Sequence, residues 1–468
     1  MFKILENLYS VSNMVKGKDI IGEIPSTKQV YKNAFNTAWP SATEAVLIGL
    51  VSAVDTMMVG VLGTNAIAAV GITNQPRFIL LALFFSLNVG ITAIVARRRG
   101  EKDREGANRS LRQALLIAFF FAIILSSVGF IFAKPLLVLA GAKEDIINDA
   151  IAYFRIISIG NFFTAITMTI NAAQRGAGNT KISMTTNVVA NVVNVIFNYL
   201  LIGGHFGFPR LGVAGAAIAT ALGNIVAFFM ALKSVTNAAG FLHIKFKSSW
   251  KLDKETIGGI ANISSSSFVE QICMRIGFLL TSITIASLGT IAFATHQICM
   301  NIVNLTFTFG DGLGVGASSL VGQSLGAKRP DMATIYSKSI QRIALTIGLM
   351  LFVAFIFGRY FLVGLFTKDQ TVINTGVMIL IIVALMSPLQ TVAVVIGGTL
   401  RGAGDTKFVA YSSLISIGII RPLTTWLFCY PLGFGIYGAW YSFMLDQILR
   451  LIINSFRFRT GKWTKIKI

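Results

Sequence analysis

A seven-residue segment occurs twice in this chain, and its spacing constrains the fold strongly. Residues 175–181 read RGAGNTK and residues 401–407 read RGAGDTK, an offset of 226 positions. The same offset aligns Glu44 with Glu270 and also aligns two copies of the tripeptide LGT. An offset that holds without a gap from about residue 41 to residue 181 indicates the duplication of a unit of roughly 200 residues. The chain therefore folds as two copies of one structure.

Long apolar runs separate short clusters of charge. Hydrophobic residues make up 54% of the chain and charged residues 13%, which excludes an ordinary soluble domain. An apolar run of about 20 residues crosses the roughly 30 Å hydrocarbon core of a bilayer as an α-helix. The pattern predicts an all-α polytopic membrane protein with twelve transmembrane helices, six in each copy. The predicted spans are 32–61, 66–97, 110–133, 147–174, 182–203, 212–235, 254–287, 292–323, 333–362, 371–400, 408–431 and 436–456.

An even number of spans gives both copies the same orientation in the membrane. The two six-helix bundles are then related by a parallel internal repeat, whose axis runs along the membrane normal. The longest hydrophilic stretch lies at the junction of the copies, where we expect a linker. The predicted organisation is a cytoplasmic amphipathic N-terminal segment (1–31), an N-lobe (32–235), a cytoplasmic linker (236–253), a C-lobe (254–456) and a basic cytoplasmic tail (457–468).

The net charge of +21 reports the topology of the chain. Roughly thirty of the 40 Lys and Arg residues fall in one set of alternate loops and at the two termini, as the positive-inside rule describes for cytoplasmic segments. We therefore expect a multi-pass protein of the cytoplasmic (plasma) membrane, surrounded by lipid, with both termini in the cytoplasm and no nucleic-acid partner. Five N-terminal positions fit one face of a short helix on the membrane surface. They are Ile4, Leu5, Leu8, Val11 and Val15.

Comparing the two copies isolates polar residues that the shared scaffold does not need. Asp55, within the first predicted span, aligns with Thr281, and a carboxylate at membrane depth is costly and usually functional. Thr220 on the sixth span aligns with Phe443 at a local offset of 223. The fifth span carries four asparagines on one helical face. They are Asn187, Asn191, Asn194 and Asn198, against Ser413, Ile417, Ile420 and Thr424 in the second copy.

These residues predict one polar pocket in the N-lobe. Carboxylate, amide and hydroxyl oxygens suit a small hard cation such as Na⁺, and a partly buried carboxylate equally suits a proton. Two simpler interpretations stay open. Asp55 can pair with Arg77 or Arg155, and the asparagines can join helices by hydrogen bonds without any cation.

The C-lobe has unmatched charges of its own. Asp311, Arg421 and Asp446 stand where the first copy has uncharged residues. Together with Glu270 these charges either pair and hold helices together, or Glu270 and Asp311 bind a cationic substrate or a second cation. Asn171, beside the first RGAG segment, is a further candidate for such a site.

Three motifs carry a resemblance to a known family. They are VDTMMVG at 54–60, VGQSLGA at 321–327 and the two RGAG(N/D)TK segments. On these motifs the chain resembles the multidrug and toxic compound extrusion (MATE) family over about residues 30–455. The resemblance implies two bundles of six helices, alternating access, and export of drugs or metabolites coupled to the inward flow of protons or sodium ions.

The resemblance also maps the family's N-lobe cation site onto this chain. The first-helix Asp corresponds to Asp55, the fifth-helix Asn to Asn194 and the sixth-helix Thr to Thr220, with a backbone carbonyl near Ala216. Some members carry a second Asp where this chain has Asn198, so one formal charge remains and a proton is favoured over Na⁺. The predicted cation-coupling residues, of which Asp55, Asn194, Asn198 and Thr220 would hold Na⁺, are Asp55, Asn191, Asn194, Asn198, Thr220 and Ala216.

We predict a secondary active exporter that antiports amphiphilic or cationic organic molecules against H⁺ or Na⁺, acts as a monomer and needs no cofactor. One alternative is a flippase or exporter of lipid-linked sugars or metabolites from the wider superfamily, which would need a strongly cationic cleft. The other is a membrane-embedded enzyme. Only three histidines and no P-loop occur in the sequence, and these features disfavour an enzyme and an ATP site.

Overall fold

The computed structural model describes residues 9–15, 19–238, 240–245, 249–466 and 468. Twelve long helices follow one another, with no strand among the described residues. A short helix, Ala133–Leu139, follows the third of them. The long helices are α1 (Thr27–Gly60), α2 (Thr64–Gly100), α3 (Arg104–Ile131), α4 (Ile147–Gly176), α5 (Thr180–Gly203), α6 (Gly212–Thr236), α7 (Lys254–Ala286), α8 (Thr290–Gly326), α9 (Pro330–Gly364), α10 (Gln370–Gly402), α11 (Thr406–Cys429) and α12 (Gly435–Arg459).

These helices confirm the predicted all-α architecture. Within the part of the chain that the structure describes, eleven helices are long and apolar enough to cross a membrane, namely α1 to α11. The exception, α12, carries Asp446, Arg450 and two arginines in its last turn, which lower its apolarity. Asp446 is fully buried and Arg450 is 8% exposed, so these charges face neighbouring helices. The α12 helix therefore belongs to the packed bundle despite its composition.

The chain forms two compact units, and two helices contribute to both. The C-unit comprises the described residues of Met1–Ala42 and Ser265–Ile468, and the N-unit comprises those of Thr43–Ser264. The α1 helix therefore leaves the C-unit after Ala42, and the α7 helix leaves the N-unit after Ser264. The predicted lobe boundaries lie between helices, whereas these unit boundaries lie within them. Both helices exceed 30 residues, so each is long enough to serve two units.

Each unit packs its helices in the same pairs. In the N-unit, α2 contacts α3 and α4, α4 contacts α3 and α6, and α5 contacts α6. In the C-unit, α8 contacts α9 and α10, α10 contacts α9 and α12, and α11 contacts α12. The duplicated sequence thus specifies a duplicated packing arrangement, with α4 and α10 as the central helices.

Each RGAG(N/D)TK segment ends the central helix of its unit. Its first glycine is still helical, and a Cβ added to Gly176 would lie 2.6 Å from the carbonyl oxygen of Thr92 on α2. A Cβ on Gly402 would collide with the carbonyl oxygen of Ser318 on α8 in the same way. The second glycine of each segment turns the chain with a positive φ, 84° in one copy and 88° in the other. The two glycines therefore do different things: one permits close helix packing and the other permits the turn.

The arginine of each segment pairs with a carboxylate on the first helix of its own copy. Arg401 Nη2 lies 2.5 Å from Glu270 Oε1, and Arg175 Nη1 lies 3.5 Å from Glu44 Oε1. Both carboxylates are mainly buried, with side chains 2% and 9% exposed. A buried carboxylate is stable as a charge only when it is paired and hydrogen-bonded, so these contacts fix how the first and fourth helices of each copy meet.

The two carboxylates differ in how much they depend on the arginine. Glu44 accepts two further hydrogen bonds, from Ser183 Oγ (3.1 Å) and Asn187 Nδ2 (2.5 Å). Glu270 accepts one, from Ser413 Oγ (3.1 Å). Arg401 therefore contributes a larger share of the stabilisation of Glu270 than Arg175 contributes to that of Glu44.

The first half of α1 lies in the C-unit, and the first part of α7 lies in the N-unit. Close helix contacts hold both of these parts in place. A Cβ added to Gly316 of α8 would lie 2.7 Å from Ala38 Cα of α1, within the C-unit. A Cβ added to Gly90 of α2 would collide with Ser264 of α7, within the N-unit. Gly90 and Gly316 are 226 positions apart, as are Ala38 and Ser264, so the duplication preserved this contact.

A π-helical segment distinguishes α11 from its counterpart α5. Leu414–Ile420 is π-helical, whereas α5 is α-helical throughout. A π segment changes which side chains face a neighbouring helix beyond it. Within it, the carbonyl oxygen of Ile417 lies against Gly277 of α7, too close for any larger residue.

The linker packs against the start of α3. Arg104 Nη2 donates to the carbonyl oxygens of Gly240 (2.6 Å) and Ala238 (3.0 Å). Asp253 precedes α7, and a hydrogen bond from the Thr256 hydroxyl is the main reason that the pKa of this carboxyl lies below its usual value. The hydrogen bond to the ionised Asp253 carboxylate therefore stabilises the fold at neutral pH, and its contribution disappears as the pH falls through the lowered pKa.

The described part of the N-terminal segment lies against protein. Val11 and Met14 are each 2% exposed and pack with Val30 of α1 and with Met332 and Ile335 of α9. A 3₁₀ turn at Val11–Asn13 is the regular structure described there. The predicted amphipathic positions outside the described residues are Ile4, Leu5 and Leu8.

The glycine at the end of α10 provides a test of the close helix packing. We expect Gly402→Ala to destabilise the protein by about 1–3 kcal/mol, because the new methyl group meets backbone that cannot move aside. Gly258→Ala is the matched control, since Gly258 is an exposed helical glycine with open space around it. The measurement is thermal unfolding of the purified chain in detergent. Equal midpoints for the two variants would contradict the packing role.

The two Glu–Arg pairs make a comparative prediction. We expect Arg401→Gln to lower stability by on the order of 3 kcal/mol, because it leaves the buried Glu270 with one hydrogen bond. Arg175→Gln should cost less, because Glu44 keeps its bonds from Ser183 and Asn187. Thermal unfolding of both variants under one condition gives the order. A larger loss for Arg175→Gln would show that this difference in hydrogen bonding is unimportant.

Candidate functional site

Two polar contacts of equal spacing join α1 to α5 within the N-unit. Asn187 Nδ2 donates to Glu44 Oε1 (2.5 Å), and Asn198 Nδ2 donates to Asp55 Oδ1 (2.5 Å). The second contact lies eleven residues beyond the first along both helices. Eleven residues make about three helical turns, or about 16 Å, so both contacts use the same faces of the two helices. The helices therefore run in the same direction with their polar faces together.

Asp55 is the centre of the second contact. With the Asn194 amide oriented so that its nitrogen faces the carboxylate, Nδ2 lies 2.7 Å from Asp55 Oδ1 and 3.3 Å from Oδ2. The reverse orientation would point the amide oxygen at an acceptor. The Asn194 oxygen then lies 3.1 Å from Thr220 Oγ1, which is 3.0 Å from the carbonyl oxygen of Ala216. The contacts thus run from α1 through α5 to α6.

A buried apolar cluster borders this network. Its members are Val59, Ala66, Tyr153, Ile157, Ile202, Val213, Ala216 and Ala217. Tyr153, which carries a polar hydroxyl at one end of its ring, is 8% exposed. Asn194 and Asn198 are 5% and 1% exposed, whereas Asp55 is half-buried. The carboxylate is therefore more accessible than the amides that hold it, as a site that exchanges an ion requires.

Two residues predicted for sites lie outside this network. Asn191 lines an apolar pocket of about 240 Å³ between α1 and α5, and its Nδ2 is buried without a partner. Asn171 is 2% exposed, and its Oδ1 is likewise buried without a partner. The structure therefore brings Asp55, Asn194 and Asn198 together with α6 but gives the other two asparagines different surroundings.

Neither arginine considered as a partner of Asp55 pairs with it. Arg77 Nε donates to Asn161 Oδ1 (3.3 Å), and the guanidinium of Arg155 lies over the ring of Phe130 at 5.5 Å. Over the described residues, the acceptors of Asp55 are engaged by amide groups and not by a cation.

In the C-unit, a buried carboxylate is paired with an arginine, whereas Asp55 of the N-unit contacts amides. Arg421 Nε donates to Asp446, and the guanidinium lies between the rings of Phe278 (4.7 Å) and Phe443 (4.2 Å). Two aromatic faces and a carboxylate together stabilise a buried cation. Arg421 thus joins α7, α11 and α12, which is the structural role considered for these charges.

The two acids considered for a C-lobe site have separate roles. Glu270 is paired with Arg401. Asp311 lines a cavity of about 80 Å³ together with Arg401 and Arg450, and its side chain is accessible through that cavity. No hydrogen bond or direct ion pair joins Asp311 to another described residue.

The structure adds Glu44 and Tyr153 to the surroundings of the predicted pocket, whereas Asn187 belongs to the predicted asparagine face. The contact between Glu44 and Asn187 has a signal in the sequence, because these residues precede Asp55 and Asn198 by the same eleven positions. Tyr153 has no such signal, because an aromatic residue in an apolar span resembles any other core residue.

Comparison with known proteins agrees with this architecture. A family model, MatE, matches residues 40–200 and 266–427, more than half of the chain. The "uncharacterized transporter YisQ" of Bacillus subtilis is 29% identical over 432 residues, covering 92% of this chain and 94% of YisQ. The "probable multidrug resistance protein NorM" of Thermotoga maritima is 26% identical over 449 residues, covering 95% and 94% of the two chains.

Solved structures show the same fold. The outward-facing conformation of a multidrug resistance MATE family transporter of the MOP superfamily matches with a TM-score of 0.86 at 20% identity, covering 92% of this chain and 97% of that one. A crystal structure of MATE in the bent conformation matches with a TM-score of 0.85, covering 93% and 98%. With the family match over both copies of the repeat, the chain belongs to the MatE family of multidrug and toxic compound extrusion transporters.

Proposed function

We propose that this chain is a multidrug efflux transporter that exchanges organic substrates for a cation bound at the Asp55 network. The observation that supports this most is that Asp55 contacts both Asn198 and Asn194, and that Asn194 in turn contacts Thr220. Relatives named as multidrug resistance proteins, NorM and PmpM, support amphiphilic or cationic organic substrates. Alternating access then couples the substrate to the cation.

The second copy supports placing ion coupling in the N-unit. Thr281 stands at the position of Asp55, and its hydroxyl donates to the carbonyl oxygen of Gly277 in its own helix (2.9 Å). Thr424, at the position of Asn198, lies 2.6 Å from the Ser442 hydroxyl instead of contacting α7. The π-helical segment of α11 precedes Thr424 and accounts for this change of neighbour.

The single formal charge of the network supports a proton as the coupling ion, because a Na⁺ site gains from two carboxylates and Asp55 is the one carboxylate of this network. Asn198 Oδ1 is buried without a partner, so a turn of that one amide would offer an acceptor to protonated Asp55.

The rival functions receive less support. A flippase for a pyrophosphate-linked sugar needs an excess of positive charge, but the inner network of the C-unit is balanced. Its members are Glu270, Asp311, Asp446, Arg401, Arg421 and Arg450. We assign no enzymatic activity, since the family is one of transporters.

We also propose the orientation and the state of the protein. Basic residues end α2 and α12, at the ends predicted to be cytoplasmic. The multi-pass chain then lies in the cytoplasmic membrane with both termini in the cytoplasm. It acts as a monomer surrounded by lipid, with the coupling ion and no other cofactor.

Removal of the one carboxylate of the Asp55 network tests the coupling site. We expect Asp55→Asn to reduce gradient-driven efflux of a cationic dye from proteoliposomes to the level of protein-free liposomes, because no group remains to carry the proton. Dye binding at equilibrium should stay within about twofold of wild type. A pH gradient and a Na⁺ gradient are imposed separately.

The control is Asp149→Asn, which removes an exposed carboxylate from the first turn of α4 and should leave efflux intact. Wild-type efflux driven by Na⁺ alone would contradict the proton assignment. Unchanged coupled efflux by Asp55→Asn would contradict the site itself.

A second pair of variants tests the amides. We expect Asn194→Ala to slow coupled efflux on the order of tenfold, because it removes a donor from the charged Asp55. Asn171→Ala, another buried amide of the N-unit, should change the rate by less than about twofold. The measurement compares the initial efflux rates of the two variants under a pH gradient. Equal rates would exclude a special role for Asn194.

A further inference from the structure

A small cavity inside the C-unit collects polar groups that the chain itself does not satisfy. Its volume is about 80 Å³, and its polar lining residues are Asp311, Arg401, Ser413, Arg450 and Asn454. Pockets for drug-sized ligands measure roughly 300–1,000 Å³, so this cavity accepts one small polar group and not a whole drug. Phe307 and Met274 supply part of its apolar wall.

Most charges near the cavity are already paired. Arg401 Nη2 lies 2.5 Å from Glu270 Oε1, and Arg421 is bonded to Asp446. These four residues form two neutral pairs that hold helices together. The remaining acid and base of the inner network are Asp311 and Arg450, and neither forms an ion pair with another described residue.

Asp311 and Arg450 line the same cavity. Asp311 makes no hydrogen bond or direct ion pair with another described residue. Arg450 donates through Nη2 to Gln447 Oε1 (2.5 Å), whereas its Nε is buried without a partner. Asn454 is 2% exposed, and its Oδ1 is also buried without a partner. The guanidinium N–H and the amide oxygen therefore have unused bonding capacity inside the protein, which is costly unless a ligand or water uses it, and the exposed Asp311 carboxylate beside them is available to a ligand.

The other copy shows that the scaffold does not need these groups. Asp311 aligns with Phe85 at the offset of 226. Arg450 and Asn454 align with Ala227 and Ala231 at the offset of 223 that holds for the last helix of each copy. All three polar residues thus replace apolar ones around a single space, as a binding site requires.

We propose that this cavity binds the zwitterionic head group of an amino-acid-like substrate. The ammonium group is placed at the Asp311 carboxylate and the Asn454 amide oxygen, and the carboxylate at Arg450 Nε. This rests on the proposed function only in that the ligand is a transported molecule, and it adds the chemical class of that substrate.

Charge balance selects a zwitterion over a simple ion. The six charges of the inner network, of which Asp311, Arg401 and Arg450 line the cavity, sum to zero, so a metal ion or an organic cation would add an uncompensated charge next to two arginines. An anion alone would add one next to Asp311. A zwitterion satisfies both free charges and leaves the buried network neutral.

The test uses glycine, the smallest zwitterion of this class, with the purified full chain in detergent. Equilibrium dialysis should show saturable binding of labelled glycine at one molecule per chain. Glycinamide lacks the carboxylate and N-acetylglycine lacks the ammonium group, so each should compete at least about tenfold more weakly. Equal competition by glycinamide would make this a cation site, and equal competition by N-acetylglycine an anion site. Either result, or no binding of glycine, would overturn the proposal.

Variants locate the binding. Asp311→Asn and Arg450→Lys should each weaken glycine binding at least about tenfold, and Asp149→Asn should not weaken it. Unchanged binding by Asp311→Asn would overturn the proposal. If that variant fails to fold, glycine binding and the two competing ligands still test the proposal with the wild-type chain. Asp55→Asn should bind glycine normally while losing coupled efflux, so a failure of ion coupling is distinguishable from a failure here.

Discussion

The structure depends on a buried carboxylate paired with the arginine that ends the fourth helix of each copy. A carboxylate at that depth is stable only with a close partner, so Glu44 and Glu270 fix where the first helix of each copy meets its fourth helix. In the N-unit, Asn187 joins the same carboxylate and sets α1 against α5. Three turns further along, the same two faces meet again at Asp55. The scaffold contact thus positions the candidate coupling site.

The two copies place different polar groups on this shared framework. The N-unit keeps α5 regular, so a second polar contact forms at Asp55 and a pocket remains between the two contacts. The C-unit inserts a π-helical segment, and Gly277 lets α7 close on Ile417 at the equivalent place. Its own polar groups gather elsewhere, around Asp311. The two copies thus differ here by a π-helical segment and by their unmatched polar residues, while the central helix pairs stay the same.

Much of this could be predicted from the sequence, and particular residues show why. The repeat, the spans and the grouping of Asp55 with the fifth-helix asparagines follow from spacing and helical periodicity, which are local. The surroundings of Asn191 and Asn171 could not be predicted, because the position of an amide on one helix does not show which groups of the neighbouring helix lie opposite it. The α12 helix illustrates the opposite case, since Asp446, one of the charges that lower its apolarity, is neutralised by Arg421 of α11.

By itself, the sequence determined that the chain has two copies of one six-helix unit and that the N-terminal copy alone carries Asp55 with its amides. Those conclusions need only the composition, the periodicity and the difference between the copies. The tertiary structure alone decided that α1 and α7 each serve two units, that the RGAG arginines neutralise Glu44 and Glu270, and that Asp311 shares a cavity with Arg450. The reason is physical: burial of a charge is favourable or costly according to the atoms around it, and those atoms come from helices far apart in the chain.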